Sequence, residues 1–78
     1  MKEYRIAQIS ENEFIPQVRL QNDLQIFQWY GICNELVTWP EERLQLLYCV
    51  VNDLKRAKSI IQFYQRKIET KYPIYHKP

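Results

Sequence analysis

The sequence contains one glycine and one histidine among 78 residues. A single glycine excludes the Gly-rich loops that bind phosphates. The histidine, His76, lies two residues from the end of the chain, where disorder is expected, and neither Ser10 nor Ser59 has a credible histidine partner. With no cofactor fingerprint either, we expect a protein that is not an enzyme and that binds no cofactor.

Long apolar runs are also missing. The longest are only a few residues, so we expect no transmembrane helix, and the first residues lead into no signal-peptide core. A cytoplasmic protein is the default expectation. Cys33 and Cys49 have no CxxC spacing and predict no metal site; two reduced, buried thiols are favoured, although the sequence does not exclude a disulfide.

The chain is of the length of one small domain, residues 1–78, with a sheet part at 1–37, a helix at 38–71 and a tail at 72–78. Three Phe, six Tyr and two Trp suit a small core that needs extensive apolar contact from few residues.

Alternating and β-branched residues predict an α+β fold that begins with a three-stranded antiparallel meander. The strands are expected at about 4–9, 14–20 and 27–33, separated by the polar segments 10–13 and 21–23. Pro16 cannot donate to a ladder, so the second strand is expected at an edge or with a bulge. For residues 22–30, a short helix capped by Asn22 or Asp23 is the alternative.

One long amphipathic helix is predicted to follow, at about 39–70. Apolar residues repeat with the helical period from Leu46 to Ile68, Thr38 fits an N-cap, and Pro40 fits the first turn. Such a helix is roughly 48 Å long, whereas a seven-residue strand spans roughly 23 Å. Three arrangements would cover the excess: a break near Asn52-Asp53, packing of the tail, or a second subunit.

Of these, we expect a homodimer through the C-terminal half of the helix, because small chains usually bury such stripes by pairing. Surplus apolar side chains predict a protein–protein interaction module, with the partner identity left open. The predicted partner-binding residues are Trp39, Tyr48, Phe63, Tyr64 and Ile68.

Charge is divided unevenly between the two halves. Residues 1–42 carry three basic and seven acidic side chains, and residues 43–78 carry eight basic and two acidic ones. The alternative function is therefore a small DNA- or RNA-binding regulator. Its phosphate contacts would come from Lys55, Arg56, Arg66 and Lys67, with Tyr4, Tyr30 or Trp29 stacking on bases.

The order "YRIAQISENEFIPQVRL … FQWYGIC … TWPEERLQLL" resembles that of short accessory proteins encoded by phages and mobile elements, which place a hairpin and an aromatic-rich strand before a helix. Pro40-Glu41-Glu42 matches their helix start in part, whereas Arg43 replaces a small residue. The resemblance implies a protein that binds and inhibits or modulates a host macromolecular machine, and it carries over no functional residue.

Overall fold

The computed structural model describes residues 2–42 and 44–69, with the backbone alone for 44–46, 68 and 69. The described residues form a four-stranded antiparallel sheet in the order β1-β2-β3-β4, followed by helical segments. The strands are β1 (Tyr4–Ser10), β2 (Glu13–Gln21), β3 (Phe27–Ile32) and β4 (Thr38–Pro40). A 3₁₀ helix (Leu44–Cys49), helix α1 (Leu54–Tyr64) and a π-helical turn (Gln65–Glu69) complete the order.

The predicted α+β class, the antiparallel meander and the C-terminal helix are confirmed, but the number of strands is wrong. The fourth strand contains Thr38 and Trp39, which the sequence analysis placed at the start of the helix. They pair with Ile32 and Gly31 of β3. A β-branched and an aromatic residue favour this extended pairing, and it overrides the N-cap and first-turn signals of Thr38 and Pro40.

The single helix at 39–70 is also wrong, and the break near Asn52-Asp53 is found instead. Val51 exchanges two 2.8 Å backbone hydrogen bonds with Phe14, which holds residue 51 in an extended conformation beside β2. Asp53 then caps α1, and its side chain accepts from the backbone N–H of Lys55. The helix therefore starts at Leu54, and Tyr48 belongs to the separate 3₁₀ helix.

The register divides the sheet side chains between two faces. Val18 lies opposite Tyr4 on one side and Tyr30 on the other, and these residues point to what we call the helix face. Gln17 lies opposite Arg5 and Gly31, and these residues point to the outer face. Helix α1 packs against β1, β2 and β3.

The core lies between the helix face and α1. Val18 and Ile32 are fully buried, and Tyr64 of α1 is 5% exposed against them. The partly buried residues packed around this cluster are Tyr4, Leu20, Tyr30, Leu36, Ile60 and Ile61. Ile60, Ile61 and Tyr64, which lie in the half of the helix that was expected to need a partner, therefore pack within the chain.

Pro16 occupies a central strand, so the expectation of an edge strand is wrong. The ladder between β2 and β3 begins at Gln17, and the Phe14–Val51 bridge lies on the same side of β2. Pro16 falls in the gap between these two pairings. Because alternate residues point their N–H groups to the same side, its missing donor interrupts no hydrogen bond there.

Residues 22–26 form a turn before β3, so the helical alternative for 22–30 is not adopted. Asn22 organises this turn: its N–H donates to the Ile26 carbonyl, and its side-chain oxygen accepts from the N–H groups of Leu24 and Ile26. Because these backbone N–H groups are hydrogen-bonded within the segment itself, the turn is favoured over a helix.

Candidate protein-binding surface

A five-residue loop, 33–37, joins β3 to β4 and lies at the centre of the candidate surface. The N–H of Cys33 donates to the Val37 carbonyl, and the N–H of Leu36 donates to the Cys33 carbonyl, both at 2.9 Å. Leu36 has φ 65°, a left-handed conformation that disfavours any residue with a Cβ. Its side chain packs against the core, and this contact holds the loop in place.

A pocket that we call the β4 pocket opens on one side of this loop. Its walls are the loop, β4 and the 3₁₀ helix. Tyr48 is 78% exposed at its rim, whereas Trp39 is half-buried. The lining residues are Cys33, Asn34, Glu35, Val37, Trp39 and Tyr48.

A second depression, the helix groove, lies on the other side of the loop, between the loop and α1. Ile60 forms part of its apolar lining, and Phe63 is half-exposed there. Its lining residues are Asn34, Leu36, Arg56, Ser59, Ile60 and Phe63. Asn34 lines both depressions, so the two meet at this loop, and we refer to them together as the surface around the loop.

The structure brings three of the five predicted partner-binding residues to this surface. Trp39 and Tyr48 line the β4 pocket, and Phe63 lines the helix groove. Tyr64 is in the core at 5% exposure, so its assignment to a partner contact is wrong. The side chain of Ile68 lies outside the described residues.

The surrounding helix surface is basic. The stretch from Leu54 to Lys67 contains five basic and no acidic residues. Lys55, Arg56, Arg66 and Lys67, the predicted nucleic-acid contacts, are all exposed. The ammonium nitrogen of Lys67 lies 5.5 Å from the ring centroid of Phe63, so positive charge and an aromatic ring are adjacent.

The outer face of the sheet carries a polar cluster beside the buried side chains of Ile15 and Cys49. Gln17 is fully buried; its side-chain oxygen accepts from Arg5 Nε at 2.6 Å, and its amide nitrogen donates to Glu41 at 3.3 Å. The Arg5 guanidinium also pairs with Glu41 and lies 4.1 Å over the Trp29 ring. Trp29 is thus covered by a cation.

This arrangement argues against base stacking on the sheet. Of the three aromatic residues expected to stack, Tyr4 and Tyr30 are on the helix face, packed against the core. Trp29 is on the outer face under Arg5, whose charge is paired with Glu41. A stacking role for Tyr4 and Tyr30 is therefore wrong.

Cys33 and Cys49 lie side by side next to the β4 pocket, with their Sγ atoms 2.8 Å apart. Both are free thiols; Cys49 is buried and Cys33 is partly exposed. Burial, together with the neighbouring Cys33, raises the pKa of the Cys49 thiol well above its usual range, so Cys49 is protonated at neutral pH.

Within residues 2–42 and 44–69, no three His, Cys, Asp or Glu side chains come together in a way that could hold a metal ion. In the same part of the chain, each helix is too short or too polar to cross a bilayer. In comparisons with family models, curated proteins and solved structures, nothing matches this chain.

The loop 33–37 was not predicted from the sequence as the centre of the surface. Its signal was the run Val37-Thr38-Trp39, which has high β propensity and follows an aromatic strand after a short polar segment. Reading Thr38 as a helix cap concealed that signal. With β4 recognised, the loop becomes a hairpin connection that brings Asn34 and Leu36 beside the helix.

Proposed function

We propose that this protein is a non-enzymatic protein–protein interaction module that binds an acidic segment of its partner at the surface around loop 33–37. The observation that carries the proposal is the exposure of large apolar side chains at this surface. Tyr48 is 78% exposed, Phe63 is 50% exposed and Val37 is 43% exposed. Aromatic anchors of this kind dominate the binding energy of many protein interfaces.

The charge around the helix groove selects the partner. Arg56 lines the groove, Lys55 is exposed on the same helix, and Lys67 is exposed in the π-helical turn that follows. An apolar side chain of the partner would lie against Ile60 and Phe63 while a neighbouring carboxylate pairs with Arg56. Such complementarity raises the association rate and disfavours basic partners.

A second exposed apolar cluster lies at the opposite end of β3 and serves as an internal comparison. Leu24, Ile26 and Phe27 are each more than half exposed there. Asp23 and Glu42 line the depression that contains Leu24, whereas the Arg19 guanidinium lies 5.2 Å over the Phe27 ring, so Leu24 is the member of this cluster in an acidic setting. Leu24 therefore offers a matched control for Phe63.

The homodimer prediction rested on a helix longer than the sheet that covers it, and α1 is not longer than the sheet. Helix α1 is 11 residues, or about 17 Å, which is shorter than the roughly 23 Å of a seven-residue strand. Ala57 is fully buried and Tyr64 nearly so within one chain. In the test below, a second copy of the chain is therefore only the alternative to a partner protein at this surface.

The test is selection from a random 12-residue peptide library displayed on phage particles, followed by fluorescence polarisation with the selected synthetic peptides. We expect enriched peptides to place Asp or Glu beside an aromatic or branched aliphatic residue. Their affinity should fall at least tenfold for Phe63→Ala and for Arg56→Glu, and remain unchanged for Leu24→Ala. Tyr48→Ala tests whether the β4 pocket belongs to the same surface, and a several-fold loss is expected.

The proposal fails if selected peptides bind Phe63→Ala as tightly as the unmodified protein, or if enriched peptides are basic. Sedimentation of the protein alone at micromolar concentration completes the test. A dimer that disappears with Phe63→Ala would identify a second copy as the occupant and would overturn the acidic-segment assignment.

A nucleic-acid role is the second candidate, favoured by the exposed basic residues of α1 and the turn that follows it. A random duplex should then shift in a gel with steep salt dependence, and Lys55→Glu with Arg56→Glu should abolish the shift. Phe63→Ala would leave that shift unchanged, which separates this candidate from the first. If the resemblance to phage-encoded accessory proteins holds, the partner is a component of a host macromolecular machine.

A further inference from the structure

The two thiols beside the β4 pocket belong to the only two cysteines of the sequence. Their Sγ atoms are 2.8 Å apart, about 0.8 Å more than the bond length of a disulfide. A small side-chain adjustment would therefore suffice to bring them to bonding distance. The pair is separated by 15 intervening residues along the chain, so a bond would join two different elements.

The backbone on either side of the pair is fixed. The N–H of Cys33 closes the hairpin by donating to the Val37 carbonyl. Cys49 ends the 3₁₀ helix, two residues before Val51, which is bound to Phe14 through both of its backbone groups. The sulfur atoms are thus held together by the fold, which gives each thiol a high effective concentration toward the other.

We propose that Cys33 and Cys49 form an intramolecular disulfide by exchange with a low-molecular-weight disulfide such as oxidised glutathione. Cys33, the partly exposed residue, reacts first: its thiolate attacks one sulfur of the oxidant, forms a mixed disulfide and releases one glutathione thiolate. Cys49 then attacks Cys33 Sγ, and the second glutathione leaves. The protein loses two electrons and two protons, and the oxidant is reduced to two thiols.

Cys49 carries out the second step from a buried position. Its raised pKa results first from burial and then from the hydrogen bond and charge of Cys33. Formation of the mixed disulfide at Cys33 removes the latter two causes, whereas burial remains, so attack by Cys49 is expected to be the slower of the two steps. The product would covalently join the hairpin loop to the 3₁₀ helix that carries Tyr48. The inference does not depend on what binds the surface.

The experiment compares the full chain in native buffer and in 8 M urea across a series of glutathione redox buffers. Acid quenching, alkylation of free thiols and intact mass spectrometry give the ratio of disulfide to dithiol. We expect the equilibrium constant for disulfide formation to be at least tenfold larger in the native protein than in the unfolded chain. By linkage, the oxidised protein should then have a Tm higher by about 10 °C.

An equilibrium constant that is equal or smaller in the native state would overturn the proposal, because the fold would then oppose the bond. Disulfide-linked dimers as the main product would also overturn it. Cys33→Ser provides the control, since it leaves the buried Cys49 in place. Its Tm should not respond to oxidised glutathione, and its mixed disulfide should form far more slowly than that of the unmodified protein.

Discussion

The two faces of the sheet bury side chains with different chemistry. On the helix face, Val18 and Ile32 are fully buried beneath α1. On the outer face, Gln17 is equally buried, but its amide accepts from Arg5 and donates to Glu41. Burial of apolar area stabilises the first face, whereas the second avoids the penalty of an unsatisfied amide.

This difference between the faces restricts where a partner can bind. Helix α1 covers the helix face. On the outer face, the polar cluster covers much of the sheet, and Arg5 lies over Trp29. The large apolar side chains that remain exposed lie at the ends of β3, in the 3₁₀ helix, on α1 and near the end of β1. A binding surface at the rim of the sheet follows from that division.

The largest effect is expected on the helix face. Ile32→Ala should lower the free energy of unfolding by about 3 kcal/mol, because it leaves a cavity in the cluster with Val18 and Tyr64. Urea denaturation measures this change, with Leu24→Ala as the exposed control, for which less than about 0.5 kcal/mol is expected. Equal effects for the two variants would contradict the assignment of the core.

A smaller loss is expected on the outer face. Gln17→Ala should lower the free energy of unfolding by about 2 kcal/mol, because it removes two partly buried hydrogen bonds to the charged groups of Arg5 and Glu41. Gln21→Ala is the matched control, since Gln21 is on the same face and strand but exposed. If Gln17→Ala cost no more than its control, the outer face would not depend on the polar cluster.

Loops 22–26 and 33–37 each contain one non-glycine residue at positive φ, so the backbone strain of the two loops can be compared directly. Gln25 has φ 61° with an exposed side chain, whereas Leu36 has φ 65° with its side chain on the core. Gln25→Gly should raise the free energy of unfolding by about 1 kcal/mol by relieving backbone strain. Leu36→Gly should lower it by about 1 kcal/mol, since the lost apolar contact outweighs the relief. Thermal denaturation gives both signs, and the same sign for both would refute the role given to Leu36.

The smallest effect is expected for the ion pair of the outer face. Glu41→Gln should cost less than about 1 kcal/mol, because the side chains of Arg5 and Glu41 are 41% and 47% exposed and water screens their attraction. The loss should shrink further in 1 M NaCl, as measured by chemical denaturation at two salt concentrations. A loss larger than that of Gln17→Ala would mean that charge, and not amide satisfaction, organises this face.

The sequence predicted the local elements better than it predicted their boundaries. Alternation at residues 4–20 and at 27–32 identified three strands, since side-chain periodicity directly reflects one buried face. Of the helical period predicted from Leu46 to Ile68, the structure has an α-helix over Leu54–Tyr64, with Ala57 and Tyr64 buried. The period did not reveal that Val51 pairs with Phe14, a contact 37 residues away in the chain. Long-range backbone pairing leaves no periodic signal.

Part of the candidate surface, namely its exposed aromatic residues, was also predictable from the sequence. Tyr48 and Phe63 lie off the apolar stripe on a helical wheel, and this identified them as exposed. Tyr64 lies on the stripe, and its burial follows from that position once the sheet is long enough to cover α1. The loop 33–37 was not predicted, because its position depends on β4 joining the sheet, and the β propensity of Val37-Thr38-Trp39 was outweighed by the N-cap signal of Thr38.

The central claim is that one chain covers the apolar side of α1 by itself and leaves Phe63 outside. Two adjacent aromatic residues test it directly, through urea denaturation of Tyr64→Ala and Phe63→Ala at two protein concentrations that differ a hundredfold. We expect Tyr64→Ala to lose about 3 kcal/mol or more and Phe63→Ala less than about 0.5 kcal/mol, at both concentrations. A comparable loss for Phe63→Ala, or stability that rises with protein concentration, would contradict the claim.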